Sequence, residues 1–218
     1  MAITEEAKAV IDEEERVLRE VLVSLEDQDR RSYDRLKIES ERAREFTSRI
    51  VASSRDVDKQ MLASDEAVAH GLSKMKREEL KVLAKLLDSP YFARLVVEEK
   101  DARGVPKSIE YRIGSESNSE CRILDWRKAP VSKLYYEFKE GDEYSELILG
   151  REREGRVLLR HKLEIKKGEL LHVSCRLGEF SKVNGEWQAG SGSRRARAFE
   201  LPDVQSLITA EQFRTITE

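Results

Sequence analysis

The chain is poor in the residues that stop helices. Its first 89 positions contain no proline and a single glycine, Gly71. Cysteine is scarce too. Cys121 and Cys175 are the only two and neither has a CxxC partner, which argues against a structural zinc site and a disulfide framework. Aromatic residues make up 6% of the sequence, hydrophobic residues 39% and charged residues 38%. No apolar run approaches the roughly 18 residues of a membrane span. The acidic, polar start MAITEEAKAVIDEEER has neither the basic nor the apolar region of a signal peptide. These features favour a reducing, cytoplasmic setting. A net charge of −3 gives no global nucleic-acid footprint.

What is present divides near Pro90. All four prolines and ten of the eleven glycines lie from residue 90 onward, so a helical architecture should give way to a β-rich one. In the first part Ile3, Ala7, Val10, Val17, Val21 and Leu25 recur at helical spacing, and Leu36, Ala43, Phe46 and Ile50 continue the stripe. A second stripe runs Leu62, Val68, Leu72, Met75, Val82 and Leu86. Charged residues fill the intervals, as in coiled-coil-like helices. The pattern breaks at ASSRDVDK (52–59), where Ser54 or Asp56 could cap a second helix. An antiparallel hairpin follows, its first helix about 75 Å long and its second about 48 Å at 1.5 Å per residue. The mismatch favours a break or bend at the polar stretch EDQDRRS (26–32).

The second part reads as about five to seven short strands in a small antiparallel sheet or barrel. ARLVVEEKD and KSIEYRIG flank RGVP, and the segment 155–175 forms two strands about KKGE, with Gly168 in the turn. Residues 184–202 are rich in glycine and serine and read as a flexible loop, and the end turns helical from about Thr209. The fold class is therefore α+β, a helical hairpin arm followed by a β-domain.

The segment ILDWRKAPVSKLYYE (123–137) concentrates Trp126, Tyr135 and Tyr136. Alternation after Pro130 puts Leu134, Tyr136 and Phe138 on one strand face, toward a core, with Val131, Lys133, Tyr135 and Glu137 on the other. Asp125 and Arg127 flank Trp126 and can pair with each other or with loop amides. A packed sheet corner is the simplest reading, because buried Trp and Tyr usually pack and hydrogen-bond. His161 and His172 fall on adjacent strands and could face each other, but no metal-ligand spacing surrounds them. No catalytic motif and no GxxxxGK[ST] loop is present. Arg194, Arg195 and Arg197 form a short basic run that could contact phosphate. Asp56, Asp58, Asp65 and Glu66 crowd the hairpin turn, and an acidic tip suits a basic pocket or a metal-bearing surface in a partner.

SPYFARL (89–95), EYRIG (110–114), DWRKAPVSKLYYE (125–137) and GRVLLRHKLEIKKGELL (155–171) occur in the order in which similar stretches occur in HelD-like proteins. These are UvrD-type superfamily 1 helicase-like ATPases that associate with bacterial RNA polymerase. The resemblance covers most of residues 60–218. Lys128, between DWR and AP, and Ala93, at a position usually glycine, depart from the family pattern. LITAEQFRTITE (207–218) resembles the Q-motif that opens the helicase core, which would make Gln212 the adenine-recognising residue. The resemblance implies residues 1–88 as helical arm, 90–183 as β-domain, 184–198 as loop and 199–218 as the truncated start of an ATPase domain.

By the same resemblance the arm enters the polymerase's secondary channel, with Asp56 and Asp58 at its tip, and the protein helps free polymerase from nucleic acid. ATP and Mg²⁺ would serve the full-length helicase, while this fragment would bind no cofactor, have no hydrolase activity of its own and be a monomer. The alternatives are a nucleic-acid-binding module of a DNA repair helicase and a coiled-coil dimerisation module.

Overall fold

A computed structural model of the chain describes residues 3–52, 56–100, 103–148 and 150–190, with the side chains of 56–62 left out. It has the expected α+β class. Helix α1 spans Glu5–Ala52 and helix α2 spans Asp56–Asp88. They are followed by β1 (Ala93–Lys100), β2 (Pro106–Gly114), β3 (Ile123–Asp125), the short helix α3 (Ser132–Glu137), β4 (Glu143–Ile148), β5 (Arg151–Lys166), β6 (Glu169–Cys175), β7 (Gly178–Val183) and β8 (Glu186–Ala189). Two compact units result, divided between Leu22 and Val23 and again between Leu87 and Asp88.

The helical unit, Val23–Leu87, is an antiparallel pair. Ser32 donates to Glu79 and Thr47 donates to Glu66, so positions rise along α1 as they fall along α2. The break expected at 26–32 does not occur, and α1 runs unbroken to Ala52. Nothing in that stretch disfavours helical dihedrals, and its inward polar side chains find partners. Gln28 donates to Ser24 Oγ at 3.3 Å, and Ser32 is tied to α2 through Glu79. The second stripe holds at Leu86 but is displaced by one position at Val68 and Leu72, where the next residues turn inward. Ala69, Ser73, Leu83 and Leu86 are buried, whereas Val68, Leu72 and Met75 are exposed. Small residues thus occupy the contact, with Ala43 buried on the α1 side.

The other unit is built on an eight-stranded open sheet, in the order β3-β2-β1-β5-β6-β7-β8, with β4 also paired to β5. It is neither a closed barrel nor limited to seven strands. Every pairing is antiparallel except β2 with β3. Lys167 and Gly168 take positive φ of 52° and 70° in the two-residue turn between β5 and β6. Asn184 and Gly185, read from sequence as loop, make the same kind of turn with φ of 53° and 85°, and β7 and β8 pair across it. An Asn-Gly pair between short alternating runs is a hairpin signal, here masked by the glycine- and serine-rich residues beyond it.

One face of the sheet carries the main core. Ala93, Leu95, Val97, Ile113 and Val157 pack there with Phe92, Trp126, Val131, Leu134, Tyr135, Tyr136 and Tyr144. The first turns of α1 dock on the sheet unit through Glu14 and Glu15. Glu15 accepts from Trp187 Nε1 of β8 at 3.1 Å, and Ala7, Ile11, Val17, Leu18 and Val21 are buried.

Candidate functional site

The 123–137 segment is a strand, a turn and a helix, not a strand–turn–strand corner. Asp125 ends β3 and is buried. Its carboxylate accepts from the Arg127 backbone N–H at 3.0 Å, from Arg127 Nε at 2.9 Å and from Arg127 Nη2 at 3.0 Å. Arg127 Nη2 also donates to Ser115 O at 2.8 Å, which ties the corner to the end of β2. Burial pushes the Asp125 carboxyl up, but the Arg127 hydrogen bonds and charge hold it below the ordinary carboxylate value. Lys128 is absorbed in the turn. Its N–H and that of Ala129 both donate to Asp125 O, at 3.1 and 3.0 Å, and its exposed ammonium lies 3.7 Å from the Asp125 carboxylate.

Past Pro130 the chain coils where alternation predicts a strand. Ser132, Leu134, Tyr135 and Tyr136 are all buried in α3, so two adjacent tyrosines point into protein, which a half-buried strand would not allow. Six residues are too few for a period of 3.6 to be told from a period of 2. The Tyr135 and Tyr136 rings meet edge to face with centroids 5.1 Å apart, and Arg160 lies 4.6 Å over Tyr135 while donating to its carbonyl at 2.7 Å. Burial pushes the Tyr135 phenol up to about 12 and the Tyr136 phenol higher still.

A second constellation was missed in the sequence. Glu14 of α1 is almost wholly buried and accepts from Arg94 Nη1 at 2.9 Å, while His161 Nδ1 lies 2.6 Å from the same oxygen. Arg94 pairs in register with Arg112 on β2 and with His161 on β5, so the three form a row across the sheet. Glu110 completes the group, 2.8 Å from both Arg94 Nε and Arg112 Nη2. Burial opposes the Arg94 charge, but Glu14 and Glu110 raise its pKa above the ordinary value. The sequence signal is slight. Glu14 is an acidic residue at a stripe position between Ile11 and Val17. His161 and His172 do not face each other, since His172 Nδ1 is engaged 2.8 Å from Ser181 Oγ on β7.

Both constellations are frameworks of paired charge, although Glu14 Oε2 and Arg112 Nε are buried without a hydrogen-bond partner among the described residues. They hold elements in place, and neither leaves a nucleophile or base facing an open cleft. Among the described residues no group of His, Cys, Asp or Glu could hold a metal ion. A groove on the sheet unit is lined by Glu98, Glu99, Glu143, Glu152, Glu154 and Tyr144, with Lys100 and Arg156 beside them. Glu99 there is committed to Tyr144 Oη at 2.5 Å and Arg153 Nη2 at 2.7 Å. Asp56 and Asp58 fall in the first turn of α2, with side chains outside the described residues. Arg194, Arg195, Arg197 and Gln212 lie outside the described residues altogether.

The model of the N-terminal domain of DNA helicase IV HelD matches residues 11–177. The chain belongs to this family. The match begins in α1, ahead of Glu14, and ends just past β6, so one HelD-type domain includes the helical pair, the DWR corner and the Glu14 network. No curated protein matches the chain significantly.

Proposed function

We propose that the chain is the part of a HelD-type helicase that engages RNA polymerase through its helical pair and helps release or recycle the polymerase from nucleic acid. The observation that carries this reading is the family match over 11–177, which takes in the separate compact helical unit Val23–Leu87. A pair of long helices with a charged exterior suits insertion into a narrow, polar channel such as the polymerase's secondary channel. Asp56 and Asp58, at the start of α2, supply negative charge where the two helices join. Gln212 would read adenine at the opening of the ATPase core, and ATP and Mg²⁺ would act in the remainder of such a helicase. Nucleotide-driven movement of that core would shift the arm, in a protein of the cytoplasm.

The test is association of the 218-residue chain with purified RNA polymerase, compared with the Asp56→Lys/Asp58→Lys variant. Deleting residues 1–88 is a poor test, since it removes Glu14 from Arg94 and His161. Binding by the parent chain and weaker binding by the variant, at unchanged thermal stability, is the expected result. A parent chain that does not bind the polymerase overturns the reading. Equal binding by parent and variant removes the acidic role of Asp56 and Asp58.

A further inference from the structure

Tyr91, in the SPYF stretch between α2 and β1, is only 1% exposed, and packing alone would be served as well by phenylalanine. Its hydroxyl is screened from solvent and finds no partner among the described residues. Two more buried atoms of the same cluster share that condition. Glu14 Oε2 is unpaired, while Arg94 and His161 both bind Oε1. Arg112 Nε is unpaired, while Nη1 donates to Cys121 O at 2.8 Å and Nη2 lies 2.8 Å from Glu110. The three belong together. Arg94, bound to Glu14, pairs in register with Arg112, and the Tyr91 phenol feels the charges of Glu14, Arg112, Arg94 and Glu110. Leaving a buried polar atom unpaired is costly, and such atoms are almost always satisfied by protein or by ordered water.

We propose that Tyr91 Oη, Glu14 Oε2 and Arg112 Nε together hold one internal water molecule. The polarities match. Arg112 Nε can only donate and Glu14 Oε2 can only accept, whereas a phenol does either. A water accepts from Arg112, donates to Glu14 and has both a lone pair and a proton left for Tyr91. Ions fit worse. Arg94 and Arg112 repel a cation, and Glu14 and Glu110 repel an anion. All three atoms are enclosed by protein, so nothing much larger than water reaches them. The water extends the Glu14 network from β1 and β5 to β2 and to the Tyr91 segment. It also gives Tyr91 a reason to be tyrosine. The proposal stands independently of polymerase binding.

A high-resolution crystal structure of the 218-residue chain, with water-oxygen magnetic relaxation dispersion in solution, tests it. The crystal should show one ordered water within about 3.2 Å of all three atoms. Tyr91→Phe keeps the ring and takes one of the water's three partners. The long-lived water should then exchange about fivefold faster, and the melting temperature should fall by about 2–4 °C. A Tyr91→Phe variant as stable as the parent, or more so, overturns the proposal, because deleting an unpartnered buried hydroxyl costs nothing. Unchanged water exchange in that variant overturns it too. So does a crystal structure in which the three atoms bond one another, or other residues of the chain, with no water among them.

Discussion

Glu14 and His161 are separated by 147 positions in the chain and by 2.6 Å in space. The same carboxylate oxygen holds Arg94, so one buried acidic side chain joins the first turns of α1 to two neighbouring strands. Removing one partner of a buried charge pair strands the other without water, which typically costs about 3–5 kcal/mol. Glu14→Ala should therefore destabilise the sheet unit by that order in denaturant melts. Glu14→Gln keeps an acceptor and should lose about half as much, since a neutral hydrogen bond replaces a charge-assisted one. Equal stabilities for Glu14→Ala and the parent would show that the network contributes nothing net.

Four of the six tyrosines, Tyr91, Tyr135, Tyr136 and Tyr144, are buried, and burial is the largest cause raising each of their phenols. For Tyr144 the hydrogen bond to Glu99 adds to it. The folded pKa exceeds the unfolded value of about 10. Above that pH the unfolded chain gives up protons that the folded chain keeps, so stability is intact below about pH 10 and falls as pH rises toward the folded pKa values. An ultraviolet absorbance titration should show these four phenols ionising late and together, coincident with loss of secondary structure. Independent ionisation near pH 10 with the fold intact would contradict their burial.

Gly114 and Gly104 make a matched comparison. A Cβ at Gly114 would lie 2.5 Å from Pro90 O and 3.2 Å from an Ile123 methyl, with backbone unable to yield easily. Gly104 has open space around it and a positive φ of 77°. Gly114→Ala should cost about 2–3 kcal/mol through overpacking where β2, β3 and Pro90 meet. Gly104→Ala meets only backbone strain, about 1 kcal/mol. Thermal melts of the two variants should rank them in that order.

The division near Pro90, the helical pair and the hairpins about RGVP and KKGE were legible because each rests on local chemistry, the presence or absence of glycine and proline and the period of the apolar residues. What escaped depends on distant partners. Whether 26–32 breaks a helix turns on Ser32 finding Glu79 across the pair. Which stripe of α2 packs inward turns on the small residues Ala69 and Ser73 meeting α1, a choice that apolarity alone makes wrongly for Val68, Leu72 and Met75. Glu14 was invisible as a site because its two partners, Arg94 on β1 and His161 on β5, are distant in the chain and come together only through the strand register. The Asp125–Arg127 pairing was foreseeable, since the two lie two residues apart.

That pairing gives the last prediction. Burial raises the Asp125 carboxyl and Arg127 more than reverses it, leaving the folded pKa below the unfolded value of about 4. The contribution to stability is present above the unfolded pKa and is lost as pH falls through the folded one. Asp125→Asn keeps the shape but offers the two-oxygen acceptor only once, so Arg127 loses its bidentate partner while still donating to Ser115 O. The variant should lose about 1–3 kcal/mol at neutral pH. Its stability should also fall less steeply than the parent's below pH 4, so the two curves converge in acid. Arg127→Lys should lie between them, because an ammonium holds the charge without the fork. Parallel stability curves for parent and Asp125→Asn across the acid range would show that the Asp125 charge does not hold the corner.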